Sequence, residues 1–149
     1  MKVVAAIDSF KGSLTSMEAG QAVLEGILRA KPSAEVLVKP LADGGEGTTQ
    51  ALVEGLGGRY ISVAVTGPLG KRVQARYGIL ADGKTAVVEM AEAAGLTLVS
   101  EEERNPLDAT TYGVGEMILD AVERGCREFI VGIGGSVTVD GGVGLLQSL

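Results

Sequence analysis

The sequence predicts an α/β fold, with a parallel β-α-β unit at the start of the chain and then a second α/β subdomain that contains antiparallel hairpins. Two apolar strand patterns, at residues 2–7 and 36–38, flank a helical pattern, and this spacing is long enough to connect parallel strands. Between residues 60 and 90 the apolar residues alternate in short runs separated by turns, which is typical of an antiparallel meander. The composition agrees, with 46% hydrophobic residues, 23 glycines and only 3% aromatic residues among 149.

The first half of the chain contains two predicted helices. The segment Thr15-Ser16-Met17-Glu18 fits a capping box at the start of the first helix. The apolar residues that follow share one helical face: Ala19, Ala22, Val23, Gly26 and Ile27. Lys31-Pro32-Ser33 ends this helix, and a second helix at residues 48–56 is stopped by Gly57-Gly58.

The pattern changes near residue 59, which predicts two domains, at residues 1–58 and 59–149. Strand patterns at residues 60–66, 73–80 and 85–90 form the meander, with a hairpin turn at Asp82-Gly83. A short helix at residues 91–94 and an amphipathic helix at residues 114–122 come next. The apolar run at residues 129–131 then predicts a buried strand that leads into a glycine-rich turn.

The composition excludes several classes of function. A net charge of -6 disfavours broad binding to nucleic acids or anionic membranes. The chain has no histidine, so Ser-His-Asp and Cys-His catalysis are excluded, and acid–base chemistry must use Asp, Glu, Lys or Tyr. The single cysteine, Cys126, is expected to be a structural thiol. No apolar run is long enough to cross a membrane, and the chain starts directly in a strand pattern, so we expect a cytoplasmic protein.

Three loops at predicted strand ends combine glycine with carboxylates. They contain Asp8, Ser9 and Lys11, then Asp43, Gly44, Gly45 and Glu46, and finally Gly134, Gly135, Ser136, Thr138 and Asp140. We expect them along one edge of a single, mostly parallel sheet, because ligands bind beyond the carboxyl ends of parallel strands. Taken one at a time, each loop is more simply a packing turn. Together they offer amides and a lysine for phosphates, a carboxylate for Mg²⁺ and another carboxylate to accept a hydroxyl proton.

A P-loop pattern occurs at residues 78–85, where GILADGKT matches G-x-x-x-x-G-K-[ST] letter for letter. A nucleotide-binding P-loop requires a strand, the loop and then a helix. Here Asp82-Gly83 lies between two strand patterns, and Val87-Val88 favours a strand after Lys84. The sequence therefore favours a β-hairpin over a P-loop.

Six segments resemble the bacterial glycerate kinase family, which is related to the enzymes of glyoxylate and galactarate catabolism. They are IDSFKGSLTSMEA, PLADGGEGT, TGPLGKRVQARYGIL, DGKTAVVEMAEAAGL, RNPLDATTYGVGEMILDA and IGGSVTVDGGVGLLQ. Two positions depart from the family pattern: Ile7 stands where proline is usual, and Val139 stands where asparagine is usual. The missing asparagine removes a polar side chain from the last loop. Members of the family are more than twice as long, so the resemblance is to their N-terminal part only.

The resemblance implies ATP-dependent phosphorylation of D-glycerate at the 2-hydroxyl, which gives 2-phosphoglycerate. It implies a Rossmann-like first domain and a second α/β domain, here incomplete, with the active site between them. Asp43 is then the expected base, Lys11 the partner of a carboxylate or phosphate, and Asp140 the residue for Mg²⁺ or phosphate positioning. Asp8, Ser9, Gly44, Gly45 and Glu46 are expected to bind substrate, and Gly134, Gly135, Ser136 and Thr138 to bind the phosphates of ATP.

A second interpretation is a chain without catalysis of its own. Such a chain binds ligand weakly, associates with itself, or pairs with the C-terminal part that the longer family members have.

Overall fold

The computed structural model of the chain describes residues 1–10 and 13–149. Lys11 lies outside the described residues. Within them the strands are β1 (Lys2–Ile7), β2 (Glu35–Pro40), β3 (Gly58–Thr66), β4 (Arg72–Leu80), β5 (Thr85–Glu89) and β6 (Glu128–Gly132). The α-helices are α1 (Ser16–Ala30), α2 (Thr48–Leu56), α3 (Ala91–Ala94), α4 (Tyr112–Glu123) and α5 (Val143–Ser148). Short 3₁₀ turns lie at Leu96–Leu98 and Glu101–Glu103. The predicted mixed α/β fold class is confirmed.

The first compact unit, Met1–Asp43, is the predicted parallel β-α-β arrangement. Strands β1 and β2 pair in parallel, with Lys2 opposite Glu35 and Ile7 opposite Pro40. The capping box of α1 is present, because the Glu18 amide donates to the Thr15 hydroxyl at 3.2 Å and the Thr15 amide donates to the Glu18 carboxylate at 2.8 Å. Both strands end at the same edge of the pair.

The second compact unit, Gly44–Leu149, contains a four-stranded sheet in the order β3-β4-β5-β6. Strands β3, β4 and β5 form the predicted antiparallel meander, and β6 pairs in parallel with β5. Within residues 1–10 and 13–149 the strands therefore form two sheets, and the expectation of one mostly parallel sheet was wrong. Local sequence patterns predict where each strand lies in the chain, but they do not predict which sheet that strand joins.

The two faces of the second sheet are covered by different helices. Gly78 of β4 faces α2, and a Cβ atom added at Gly78 would lie 2.5 Å from Cγ2 of Val53. The next residue, Ile79, points to the other face, because successive residues of a strand alternate. That face holds the main core, which includes Val65, Tyr77, Ile79, Val88, Val114, Met117 and Cys126. Cys126 is fully buried, in agreement with a structural thiol.

The P-loop-like segment is a β-hairpin, as predicted. It runs from the end of β4 into the start of β5, and Asp82 closes the turn by accepting the Lys84 and Thr85 amides at 2.8 and 2.9 Å. A strand follows Lys84 where a P-loop needs a helix, so the P-loop interpretation does not apply.

The boundary between the two compact units lies before α2, which packs on β4 and β5. The sequence-based division at residue 58 stays a prediction about the domains of the complete family fold. Among residues 1–10 and 13–149, no helix combines the length and the apolar character needed to span a bilayer.

Tyr77 supplies a test of the core of the second unit. Its buried hydroxyl donates to the Asp120 carboxylate at 2.6 Å. Burial and this carboxylate raise the pKa of Tyr77. We expect Tyr77→Phe to lower the free energy of unfolding by about 1.5–3 kcal/mol, because it removes a hydrogen bond to a charged group. Urea denaturation measures the change. Tyr60→Phe is the matched control, since Tyr60 is exposed on β3, and equal losses in the two variants would contradict this role.

Candidate functional site

Two of the three predicted loops meet backbone to backbone. The Gly134 amide donates to the Gly44 carbonyl at 3.0 Å. A Cβ atom added at Gly132 would lie 2.6 Å from that carbonyl oxygen, and one added at Gly134 would lie 2.6 Å from Cα of Gly45. Both distances are shorter than real Cβ contacts, so a side chain at either position would separate the loops. Glycine is therefore required here for close approach.

Glu89 holds the first of these loops from the other side. It is the last residue of β5, lies opposite Gly132 in the sheet, and is only 6% exposed. Its carboxylate accepts the Gly47 amide at 3.2 Å and the Thr49 amide at 2.6 Å. Gly47 precedes α2 in the left-handed conformation, with φ at 90°, and has no side chain to cap the helix. Glu89 thus caps α2 from a neighbouring strand.

Sequence reasoning missed Glu89, because it reads as the polar end of a strand. A signal was nevertheless present: the five residues of β5 are all buried, and a carboxylate in such a strand needs hydrogen-bond donors. Its position has a chemical consequence. The Gly47 and Thr49 amides at the start of α2 already donate to the Glu89 carboxylate, so these two amides do not bind a phosphate.

Asp140 holds the second of these two loops, the one that contains Gly134, in a similar way. Its Oδ2 accepts the Thr111 amide at 2.9 Å, the Thr111 hydroxyl at 2.8 Å and the Gly144 amide at 3.1 Å. Its Oδ1 accepts the Gly142 amide at 3.1 Å. Burial alone would raise the pKa of Asp140, but these hydrogen bonds outweigh it and lower the pKa. Asp140 therefore joins the turn before α5 to the start of α4.

An open cavity of about 520 Å³ lies between β6, α4, α5 and the second loop. Its apolar lining includes Met90, Val114, Val131, Ile133 and Leu145, and its polar lining is Thr111, Ser136, Thr138 and Asp140. The Ser136 and Thr138 hydroxyls are 2.8 Å apart, and the Thr138 amide donates to the Ser136 hydroxyl at 3.0 Å. Three of the predicted phosphate and metal residues thus line one cavity.

The remaining predicted residues are placed as follows. Asp8 follows β1 in the first unit, and its carboxylate accepts the Ser9 amide at 2.7 Å. Asp43 is exposed at the end of the same unit, and Glu46 is exposed in the loop before α2. The predicted role of Lys11 lies outside the described residues.

Carboxylates are the side chains of this site that could hold a metal ion such as Mg²⁺. In the described part of the chain, no three or more His, Cys, Asp or Glu residues cluster so that they could hold a metal ion. Asp140 is a single carboxylate, and its Oδ1 accepts one hydrogen bond where Oδ2 accepts three. Its acceptor capacity therefore remains mainly at Oδ1.

A conservative substitution tests the cap supplied by Glu89. We expect Glu89→Gln to lower the free energy of unfolding by about 1–3 kcal/mol, because an amide accepts at one atom only and turns donors toward a backbone N–H group. Thermal or urea denaturation measures the loss. Glu46→Gln is the matched control, since Glu46 is exposed in the loop that Glu89 holds. A neutral Glu89→Gln variant would show that the cap contributes nothing.

The pH dependence of stability tests Asp140. Because the folded-state pKa of Asp140 is lowered, its contribution is fully present above the unfolded-state pKa of about 3.8 and is lost as the pH falls through the lower folded-state value. We expect the stability difference between the wild type and Asp140→Asn to be constant from about pH 7 to 5 and to shrink below about pH 4. Denaturation at a series of pH values measures it. A difference that does not change with pH would contradict these contacts.

Comparison with known proteins identifies the family. The glycerate kinase family matches residues 3–149. The chain is 53% identical to the glycerate kinase of Haemophilus influenzae and 50% identical to the glycerate 2-kinase of Escherichia coli K12. Each alignment covers the whole chain but only 39% of the relative.

A solved structure agrees with the sequence comparison. It is a crystal structure from Salmonella typhimurium LT2 of a protein provisionally named glycerate kinase 2, with a TM-score of 0.90 and 49% identity. The match covers all of this chain and 40% of that one, so the fold seen here is partial. The chain thus spans about two fifths of the length of its relatives, and it belongs to the glycerate kinase family, of which it represents an N-terminal part.

Proposed function

We propose that this chain contributes to the ATP-dependent phosphorylation of D-glycerate to 2-phosphoglycerate. The observation that carries the proposal is the close backbone contact between the Gly44 and Gly134 loops, next to a cavity lined by Ser136, Thr138 and Asp140. Phosphoryl transfer is catalysed mainly by positioning and electrostatic stabilisation, and rigid glycine loops with hydroxyls and a carboxylate supply such positioning. The relatives named glycerate kinase give the substrate class.

In this proposal the phosphates of ATP bind at the loop that contains Gly134, Gly135, Ser136, Thr138 and Asp140. The donors are the backbone amides of Gly135 and Ser136 and one hydroxyl of the Ser136–Thr138 pair, because the other hydroxyl donates within the pair. The Gly134 amide is already used by the Gly44 carbonyl, so Gly134 contributes close approach instead. Asp140 would hold Mg²⁺ through Oδ1, since Mg²⁺ commonly takes one or two carboxylates together with substrate phosphates. When bound, Mg²⁺ neutralises charge on the phosphates.

Glycerate binding is assigned to the other two loops, which contain Asp8 and Asp43. Lys11 pairs with the glycerate carboxylate, with Asp8, Ser9, Gly44, Gly45 and Glu46 as further contacts. Asp43 accepts the proton of the 2-hydroxyl while that oxygen forms a bond to the γ-phosphorus of ATP. The bond from the γ-phosphorus to the bridging oxygen breaks, and ADP leaves.

A second candidate function is association without catalysis. It is favoured by exposed apolar residues that cluster along β6, the second loop and α5, including Ile133 and Val139, which are 75% and 70% exposed. Such a surface is typical of a binding site. In this case the chain binds ligand weakly, associates with itself, or pairs with the polypeptide that completes the family fold.

An assay with ATP and D-glycerate tests catalysis, with and without the polypeptide by which the Haemophilus influenzae relative exceeds this chain. We expect phosphoglycerate and ADP to form in equal amounts when both polypeptides are present. Asp43→Asn is expected to lower kcat more than about tenfold, or about 1.4 kcal/mol in the barrier, because the base is lost.

Two controls accompany the assay. Asp108→Asn changes an exposed carboxylate outside the three loops and is expected to leave kcat unchanged. Lys84→Ala is expected to leave ATP binding unchanged, because Lys84 lies in a hairpin turn. Retention of kcat in Asp43→Asn would show that Asp43 is not the base, and absence of turnover in every combination would favour the second candidate function.

A further inference from the structure

One edge of the second sheet has no strand partner. Strand β6 pairs with β5 on one side, and among residues 1–10 and 13–149 no strand pairs with its other side. An unpaired edge presents backbone N–H and C=O groups that can pair with another strand.

The backbone groups on this edge can be assigned from the bonds to β5. The Glu128 amide donates to the Lys84 carbonyl at 3.2 Å, and the Gly132 carbonyl accepts the Met90 amide at 2.9 Å. Residues 128 and 132 therefore direct their backbone groups toward β5. Because direction alternates along a strand, Phe129 and Val131 direct theirs to the unpaired side.

The surface around this edge is apolar. Ile130 and Val131 are 40% and 39% exposed, although both belong to a strand, and Ile133 is 75% exposed. From residue 129 to residue 139 the sequence FIVGIGGSVTV has no charged side chain. Val139 at the end of this segment is exposed, and exposed apolar residues continue beyond it at Val143 and Leu146. Natural edge strands that stay unpaired usually carry charges or prolines, and this one has neither between its end residues.

The opposite edge of the same sheet differs. Strand β3 carries Arg59 and Ser62 among its exposed residues, and Arg76 of the adjacent strand lies 4.6 Å above the Tyr60 ring. A charged side chain on an edge strand disfavours pairing. Strand β6 has no charged residue between its end residues, so it is the edge of this sheet that accepts a partner strand more readily.

We propose that the β6 edge docks a β-strand from the polypeptide by which the longer glycerate kinases exceed this chain. About 61% of each relative's own length lies outside the matched region, since the match covers 39%. The match runs to Leu149, directly after α5, and Leu145 of α5 lines the same cavity as Val131 of β6. The polypeptide that continues in the relatives therefore follows an element that lies beside this edge. Consecutive elements of a chain usually lie next to each other in space.

Exposed apolar side chains give the docked segment a second contact. Ile130 and Val131 of β6 and the adjacent Ile133 are 40%, 39% and 75% exposed. The occupant is therefore a strand that pairs with the backbone of Phe129 and Val131 and packs apolar side chains against these exposed residues. This inference uses the edge and the family membership, and it does not depend on the proposed catalysis.

Coexpression tests the inference. The 149-residue chain, carrying an affinity tag, is produced together with the unmatched polypeptide of the Haemophilus influenzae glycerate kinase. Size-exclusion chromatography with light scattering reports a complex. We expect a one-to-one complex in which hydrogen exchange of the Phe129 and Val131 amides slows by about tenfold or more. The Ile130 and Gly132 amides, which face β5, are expected to be protected with or without the partner.

Two matched lysine substitutions locate the contact. Ile133→Lys is expected to weaken the complex by about tenfold or more, or about 1.4 kcal/mol, because it places a charge in the apolar contact. Ser62→Lys on the β3 edge is expected to change the affinity less than about twofold. Both positions are exposed, and thermal denaturation of each isolated variant confirms folding.

Three outcomes would overturn the inference: no complex forms, the two variants weaken it equally, or the Phe129 and Val131 amides do not change. A homodimer through the same edge would assign the surface to a second copy and overturn it as well. If a complex forms but no phosphoglycerate is produced, this inference stands and the proposed function is contradicted. If phosphoglycerate is produced but β6 does not pair with a strand, the proposed function stands and this inference is contradicted.

Discussion

The rest of the candidate site depends on one close backbone contact, between the Gly44 carbonyl and the Gly134 amide. It exists because Gly132 and Gly134 have no side chains to keep the loops apart. Glu89 holds the loop that contains Gly44 from the opposite side, by accepting the Gly47 and Thr49 amides. A loop fixed at both ends loses little conformational entropy when a ligand binds. Folding has therefore already ordered backbone groups that would otherwise have to be ordered on binding.

Resident carboxylates define the electrostatics of this region. Glu89 takes amides at the start of α2, and Asp140 takes the Gly142 and Gly144 amides around the start of α5. Helix N-termini attract anions, but amides at these two N-termini already donate to the carboxylates of Glu89 and Asp140. A phosphate must therefore find positive charge elsewhere, in a chain of net charge -6. The proposed reaction accordingly uses Mg²⁺, and not helix termini alone, to neutralise the charge of the phosphates.

Local sequence patterns predicted the elements well, because the signals are local. The capping box at Thr15 and the hairpin at Asp82 depend on residues only a few positions apart. The P-loop match was rejected correctly, since Val87 and Val88 favour a strand over a helix. Two sheets were mistaken for one because strand pairing between distant segments leaves no local trace. Glu89 was missed for the same reason, as its donors lie about forty residues earlier.

Strand β6 links the proposed site to the proposed docking edge. Its carboxyl end leads into the loop that Gly134 ties to Gly44, and its free side carries Phe129 and Val131. A strand added there would hold β6 from both sides, and paired strands move less than edge strands. The added strand would also cover the cavity lined by Ser136, Thr138 and Asp140, which excludes water and strengthens electrostatic contacts inside it. Completion of the sheet and organisation of the loop proposed to bind phosphate would thus be two consequences of a single contact.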